Sequence, residues 1–369
     1  MTNSARTIAT LPDQIAGLPE AKRERINALF SVTRSQGDLV PPPDMEPWIE
    51  RAFGSVDAVR SQTIIKTLNR WTLEGSLFNE LRARRPITSF VLDSRPGSAI
   101  AGLEGDGTDP FCHPLTGTPA DTFGRVQGSL SITASNVAKY DGLHSVVVMR
   151  EHDPLAWTPE RVADAFETAQ RWLAEAHREH PTAIYPFVMW NCLPRSGASQ
   201  LHAHMQVTLG EGSAYARVES WRRAAVAYRQ QHASSYFEDF YAVHDALGLA
   251  GAFGSEAGAV RWVAHLTPLK EKELVLVASS LGTALYTSVY KAVRFYIDTL
   301  GVLAFNVALY LPPLAPVQED WSDFPVIVRM VDRGDPASAT SDIGAMELFA
   351  QPVVAFDPFR LAEKLRSDE

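Results

Sequence analysis

The sharpest alternation of apolar and polar positions runs over residues 201–209. Leu201, Ala203, Met205 and Val207 fall on one side of an extended strand, and His202, His204, Gln206 and Thr208 on the other. Upstream, the β-branched run 145–149 predicts a buried strand. Thr158-Pro159-Glu160 then supplies an N-cap, a first-turn proline and an early acid. The helix behind it places Val162, Phe166, Ala169, Trp172, Leu173 and Ala176 at helical spacing, and Pro181 closes it. A second strand at 184–190 and a loop at 191–200 lead into the alternating strand. The order recurs later: strand 273–278, helix 282–300, strands 305–311 and 325–331. The spans 144–210 and 273–334 therefore read as a duplicated α+β unit, bridged by helical residues 214–248. Residues 1–45, polar and ending in Pro41-Pro42-Pro43, read as an N-terminal arm with one short helix at 19–31. The expected division is 1–45 for the arm, 46–213 for the first repeat and 214–369 for the second.

Composition narrows the partners. The 369 residues carry a net charge of −9, which argues against a nucleic-acid binder, because phosphate tracks need clustered Lys and Arg. A nucleotide needs only a few local donors and stays open as a ligand. Hydrophobic residues at 46% are enough for a large core. Cys112 and Cys192 are too few for a disulfide framework, and no apolar run is long enough to span a membrane. The expectation is a cytoplasmic protein of two lobes, with a homodimer left open.

The chemistry concentrates at 191–206. His202, His204 and Gln206 form a polar row, and Ser196-Gly197-Ala198-Ser199 lies just before it. A small-residue loop lets backbone N–H groups approach a phosphate, and a neutral imidazole beside it can attack phosphorus.

This segment resembles the N-x5-G-x-S-x2-H-P-H-G-Q motif of galactose-1-phosphate uridylyltransferases, in the histidine-triad (HIT) superfamily. Asn191, Gly197, Ser199, His202, His204 and Gln206 match it, while Ala203 and Met205 replace Pro and Gly. The resemblance implies two tandem HIT-like repeats, each an antiparallel sheet with a packed helix. It makes His204 the nucleophile, forming a covalent nucleotidyl-histidine, with its ring proton held by the His202 carbonyl. Gln206 would bond a phosphoryl oxygen, and Asn191 and Ser199 the α-phosphate. Weaker matches extend over 75–366. Leu81–Pro86 resembles H-R-x-x-R-P, giving Arg82 and Arg85 to the distal phosphate. Asp109-Pro-Phe-Cys-His113 resembles the zinc element D-P-x-C-x-x-C, but Leu115 stands where the second cysteine belongs. Cys112, His113, His152 and His202 remain as candidate zinc ligands, although the chemistry itself requires no cofactor. Val328–Val331 replaces the histidines of the family's second metal site.

The family's K-F-x-V-G-[YF]-E stretch, which holds the sugar phosphate, reads Ser341-Asp-Ile-Gly-Ala-Met-Glu347 here, without the lysine. Glu347 and Gln351 are candidates for the acceptor pocket, and the run 270–273 reads as a solvated turn. The expected activity is nucleotidyl transfer from a nucleoside diphosphate sugar or related nucleotide to a phosphate-bearing acceptor. A phosphorylase using inorganic phosphate and a non-catalytic nucleotide-binding protein are the alternatives.

Overall fold

The computed structural model describes residues 6–84, 107, 109–254, 258–338 and 341–368; Arg85 lies outside them. A small sheet begins with β1 (Phe30–Asp38), β2 (Ser61–Asn69) and β3 (Gly75–Phe78). A large sheet takes β4 (Ser131–Ser135), β5 (Leu143–Met149), β6 (Ala183–Cys192), β7 (His204–Glu211) and β8 (Ala250–Phe253). It continues with β9 (Val260–Ala264), β10 (Leu274–Ala278), β11 (Phe305–Tyr310) and β12 (Val326–Asp332). The short β13 (Val353–Val354) returns to the small sheet, parallel to β3.

The large sheet is antiparallel, in the order β4-β5-β7-β6-β11-β12-β10-β9-β8. Apart from β8 at one edge, its connectivity is the same in both halves. On one side β4, β5, a helix, β6 and β7 lie in the order 4-5-7-6; on the other β9, β10, a helix, β11 and β12 lie in the order 9-10-12-11. The two blocks join where β6 pairs with β11, with Asn191 opposite Asn306.

Both helices pack on one face of this sheet. Thr158 caps the first, Pro159–Glu179, accepting the Arg161 N–H, and its stripe from Val162 to Ala176 is buried with Val147, Met149, Met205 and Val207. Each such side chain contributes about 1.5–3 kcal/mol of burial free energy. The second helix, Thr283–Arg294, buries Leu285, Val289 and Val293, and stacks Tyr286 on Phe166 of the first. The apolar row of the alternating segment therefore faces the helices, and its polar row faces away.

The N-terminal stretch is more ordered than an arm. Helices Leu11–Ala16 and Glu20–Leu29 lead into β1, which pairs along its whole length with β2. No periodicity announces β1, because Arg34, Ser35 and Gln36 are exposed and alternation needs one buried face.

Candidate active site

β7 begins at His204; His202 lies in the turn before it, so the polar row is strand only from His204 onward. Both rows are buried, including His202, His204 and Gln206. The polar face is roofed by Phe111, whose ring meets His204 edge-on at 5.3 Å and His202 at 6.0 Å. His204 Nδ1–H donates to the His202 carbonyl at 2.7 Å, which leaves the Nε2 lone pair free. Burial holds His204 below the ordinary histidine range, against the opposing pull of that bond, so the ring is neutral. Gln206 Oε1 lies 2.9 Å from His144 Nε2.

The loop before β7 turns at two left-handed positions, Leu193 at φ 70° and Gly197 at φ 96°. Only glycine adopts the second without strain. The Ser196 hydroxyl is consumed within the loop, donating to the carbonyls of Cys192 (2.6 Å) and Leu193 (2.8 Å). Gly197 and Ser199 are exposed. Asn191 Oδ1 accepts from Asn306 Nδ2 at 2.7 Å, and the same amide donates to the Ser196 carbonyl at 2.9 Å. Asn191 Nδ2 sits 3.9 Å from where a Cβ on Gly197 would stand, so these two candidates meet. Asn306 escaped the sequence reading; its one signal was an amide inside the otherwise apolar run of β11.

Three of the four candidate metal ligands come together. Cys112 Sγ is 3.4 Å from His152 Nδ1 and 3.6 Å from His202 Nδ1, and the two nitrogens are 3.1 Å apart. Tetrahedral zinc with its usual bond lengths sets such atoms roughly 3.3–3.6 Å apart, so the group could hold a metal ion such as zinc. His202 Nε2–H donates to the Met149 carbonyl at 2.7 Å, which turns Nδ1 toward the cluster. His113 stands apart from this group: its backbone precedes the short helix Pro114–Gly117, and it is not among the clustered donors. Leu115 is exposed and offers no ligand.

The other candidates are spread out. Arg82 is exposed on the 3₁₀ turn Glu80–Arg84, and among the described residues no contact joins it to His204. Gln351 packs against Gly75, its Nε2 buried without a hydrogen-bond partner. Glu347 lines a cavity of about 700 Å³ with Arg217, Lys270, Asn306 and Arg333. Asp342 is bound by Arg333 at 2.6 and 3.1 Å, which cancels the repulsion its bare charge would exert on a phosphate.

The run 270–273 is not a solvated turn. Lys270 Nζ donates to Glu347 Oε1 at 2.6 Å and to the Asp342 carbonyl, so a lysine from another element reaches the segment that lacks one. Glu271 accepts the N–H groups of Ala355 and Phe356, Lys272 pairs with Asp332, and Glu273 is buried against Arg329. The turn is wedged between the two sheets, and proximity to the second sheet is invisible in a local pattern. Arg329 itself bridges Glu74 at 2.7 Å and Glu273 at 2.6 Å under the Trp221 ring. A guanidinium therefore fills the position expected to have lost a metal site.

The α+β fold with its large antiparallel sheet is similar to those of solved galt-like and uridylyltransferase structures. An ADP-glucose phosphorylase from Arabidopsis thaliana with bound ADP-glucose matches over 82% of this chain and 98% of its own, at TM-score 0.62 and 14% identity. A galt-like protein from the same plant matches over 70% and 91%, at TM-score 0.56 and 15% identity. A uridylyltransferase matches over 83% and 98%, at TM-score 0.55 and 15% identity. No protein-family profile matches the sequence, and no curated protein is significantly similar to it. Among the described residues no helix is long and apolar enough to cross a membrane.

Proposed function

We propose that the chain is a nucleotidyltransferase whose two sheet blocks are tandem HIT-like repeats, and that it works through a nucleotidyl-histidine on His204. One observation carries the reading. His204 is a buried neutral imidazole whose Nδ1–H is tied to its neighbour's carbonyl, leaving Nε2 as the lone pair. Such a ring is oriented and desolvated before substrate arrives. Nε2 attacks the α-phosphorus of a nucleoside diphosphate compound, the bond to the distal phosphate breaks, and that phosphate leaves. An acceptor phosphate then attacks the same phosphorus and regenerates the imidazole. Gln206, Asn191 and the Gly197–Ser199 turn supply donors to the phosphoryl oxygens as charge shifts in the transition state. Arg82 and Arg85 are reserved for the distal phosphate, by resemblance.

Cys112, His152 and His202 would hold a zinc-class ion in a structural role, fixing the His202 backbone whose carbonyl orients His204.

A second reading, in which inorganic phosphate is the acceptor, is favoured by the acceptor segment. Its lysine position is Ser341, and Lys270, which reaches it, is already paired with Glu347. Discharge of enzyme labelled from α-³²P ADP-glucose or UDP-glucose decides between them. Faster discharge by inorganic phosphate than by galactose 1-phosphate or glucose 1-phosphate supports the phosphorylase. The reverse order supports the sugar-phosphate transferase, and a chain that takes no label from any donor overturns both.

A further inference from the structure

The polar face of the sheet holds one side chain that the proposed transfer does not use. His144 on β5 is fully buried, and its imidazole lies between two fixed partners. The backbone N–H of Tyr140 donates to Nδ1 at 3.0 Å. A backbone N–H cannot be reversed, so Nδ1 must carry the lone pair and the neutral ring must carry its proton on Nε2. Nε2 lies 2.9 Å from Gln206, which must then present its carbonyl oxygen there. Asn136 Nδ2 comes within 3.3 Å of the same nitrogen but finds no lone pair and makes no bond. The Asn136 amide is itself set by the Ala138 N–H, which donates to its Oδ1 at 3.0 Å. Gln206 Nε2 has no protein partner among the described residues.

We infer that His144 is a positioning residue for the transfer: it fixes which way the Gln206 carboxamide faces, so that the free N–H₂ and not the oxygen is offered to the phosphoryl group. The inference rests on the reading of His204 and Gln206 given above. A glutamine amide is nearly symmetric in shape, and the flipped rotamer would set an acceptor oxygen against an anionic phosphoryl oxygen. The bond from His144 removes that rotamer. Burial lowers the basicity of His144, which keeps the ring in the single-proton form the arrangement needs. Stability of the device comes from outside the site: Tyr140 lies over the imidazole with ring centroids 4.5 Å apart, and Lys139 Nζ donates to the His144 carbonyl at 2.8 Å.

The test uses the full chain and α-³²P ADP-glucose and UDP-glucose. His144→Phe keeps the ring and removes the donor, while His144→Gln returns an N–H at the Nε2 position. Single-turnover labelling should slow on the order of tenfold in H144F, with nucleotide affinity changed less than about threefold, and recover most of its rate in H144Q. In a Gln206→Ala background, H144F should slow labelling little further. Equal slowing by H144F in both backgrounds, or no recovery in H144Q, overturns the inference and leaves His144 a packing residue. A ¹⁵N spectrum of the histidine rings adds a readout free of activity: the proton of His144 should sit on Nε2, and an Nδ1–H form overturns the inference even if labelling behaves as expected. Wild-type enzyme that takes no label refutes the nucleotidyl-histidine reading and the role of His144 with it. The tautomer then reports separately whether the hydrogen bond exists.

Discussion

The two blocks of the large sheet make the same diagonal contact with different chemistry. Val146 pairs with Gln206 in the first, and Val275 with Arg329 in the second. Two residues before each valine stands the side chain that reaches across: His144 to Gln206 at 2.9 Å, and Glu273 to Arg329 at 2.6 Å. Two residues after each valine the register reaches His204 in the first block and Ile327 in the second. The first block thus keeps a neutral pair with one amide N–H uncommitted beside an imidazole. The second closes its pair with full charges, clamps it to Glu74 in the turn before β3 and puts an isoleucine where the imidazole would be. One framework carries the proposed site in one half and a charged clamp in the other.

The clamped half should fail by unfolding. Arg329→Met leaves Glu273 buried without its guanidinium and Glu74 with Arg217 alone, at a cost of about 3–5 kcal/mol. Urea denaturation should show that loss or insoluble protein; a variant as stable as wild type would mean the pair is not what joins the sheets.

The site half should fail by losing ligands. Wild-type protein should retain zinc after dialysis, and Cys112→Ser should lose it while keeping most of the stability, as metal content and a melting curve together report; a wild type that holds none contradicts the proposed ion. Zinc retained in full by the variant would place the ion elsewhere.

Acid should separate the halves as well. Burial alone would raise the Glu273 carboxyl, but Arg329 and then His265 outweigh it and hold it at about 2, below its ordinary 4.5. A carboxylate depressed in the folded state contributes stability above its unfolded value and loses it as pH falls toward the folded one. Stability should therefore drain between about pH 4.5 and 2, and Glu273→Gln should flatten that slope. An unchanged slope would remove Glu273 from the account.

The smallest effect belongs to the loop. Gly197→Ala at φ 96° should cost about 1 kcal/mol of stability and slow labelling, through strain beside Asn191. A neutral substitution would show that the turn is free to move.

Much of this arrangement was legible in the chain, and the limits have physical causes. The run 145–149 announced itself because its strand is buried on both faces, and 184–190 and the helix after Thr158 because each buries one face. The motif residues of 191–206 were visible because five of them lie within one loop and strand. Asn306 and His144 were not, since each meets the motif only through cross-strand register, which no local pattern encodes. The small sheet was hidden for a related reason: β1 is polar on both sides, and β13 has two residues. Lys270–Glu273 looked solvated because four charges in a row usually are, and only the second sheet makes them partners.

The central claim is that the first block carries a nucleotidylated imidazole at His204. Wild-type protein and the His204→Gly variant, both folded by melting curve, are incubated with α-³²P ADP-glucose and UDP-glucose, and the label is mapped by peptide mass. The account predicts an acid-labile phosphoramidate on His204 in the wild type and none in the variant. Label of equal amount in the variant, or mapped to any other residue, would contradict it.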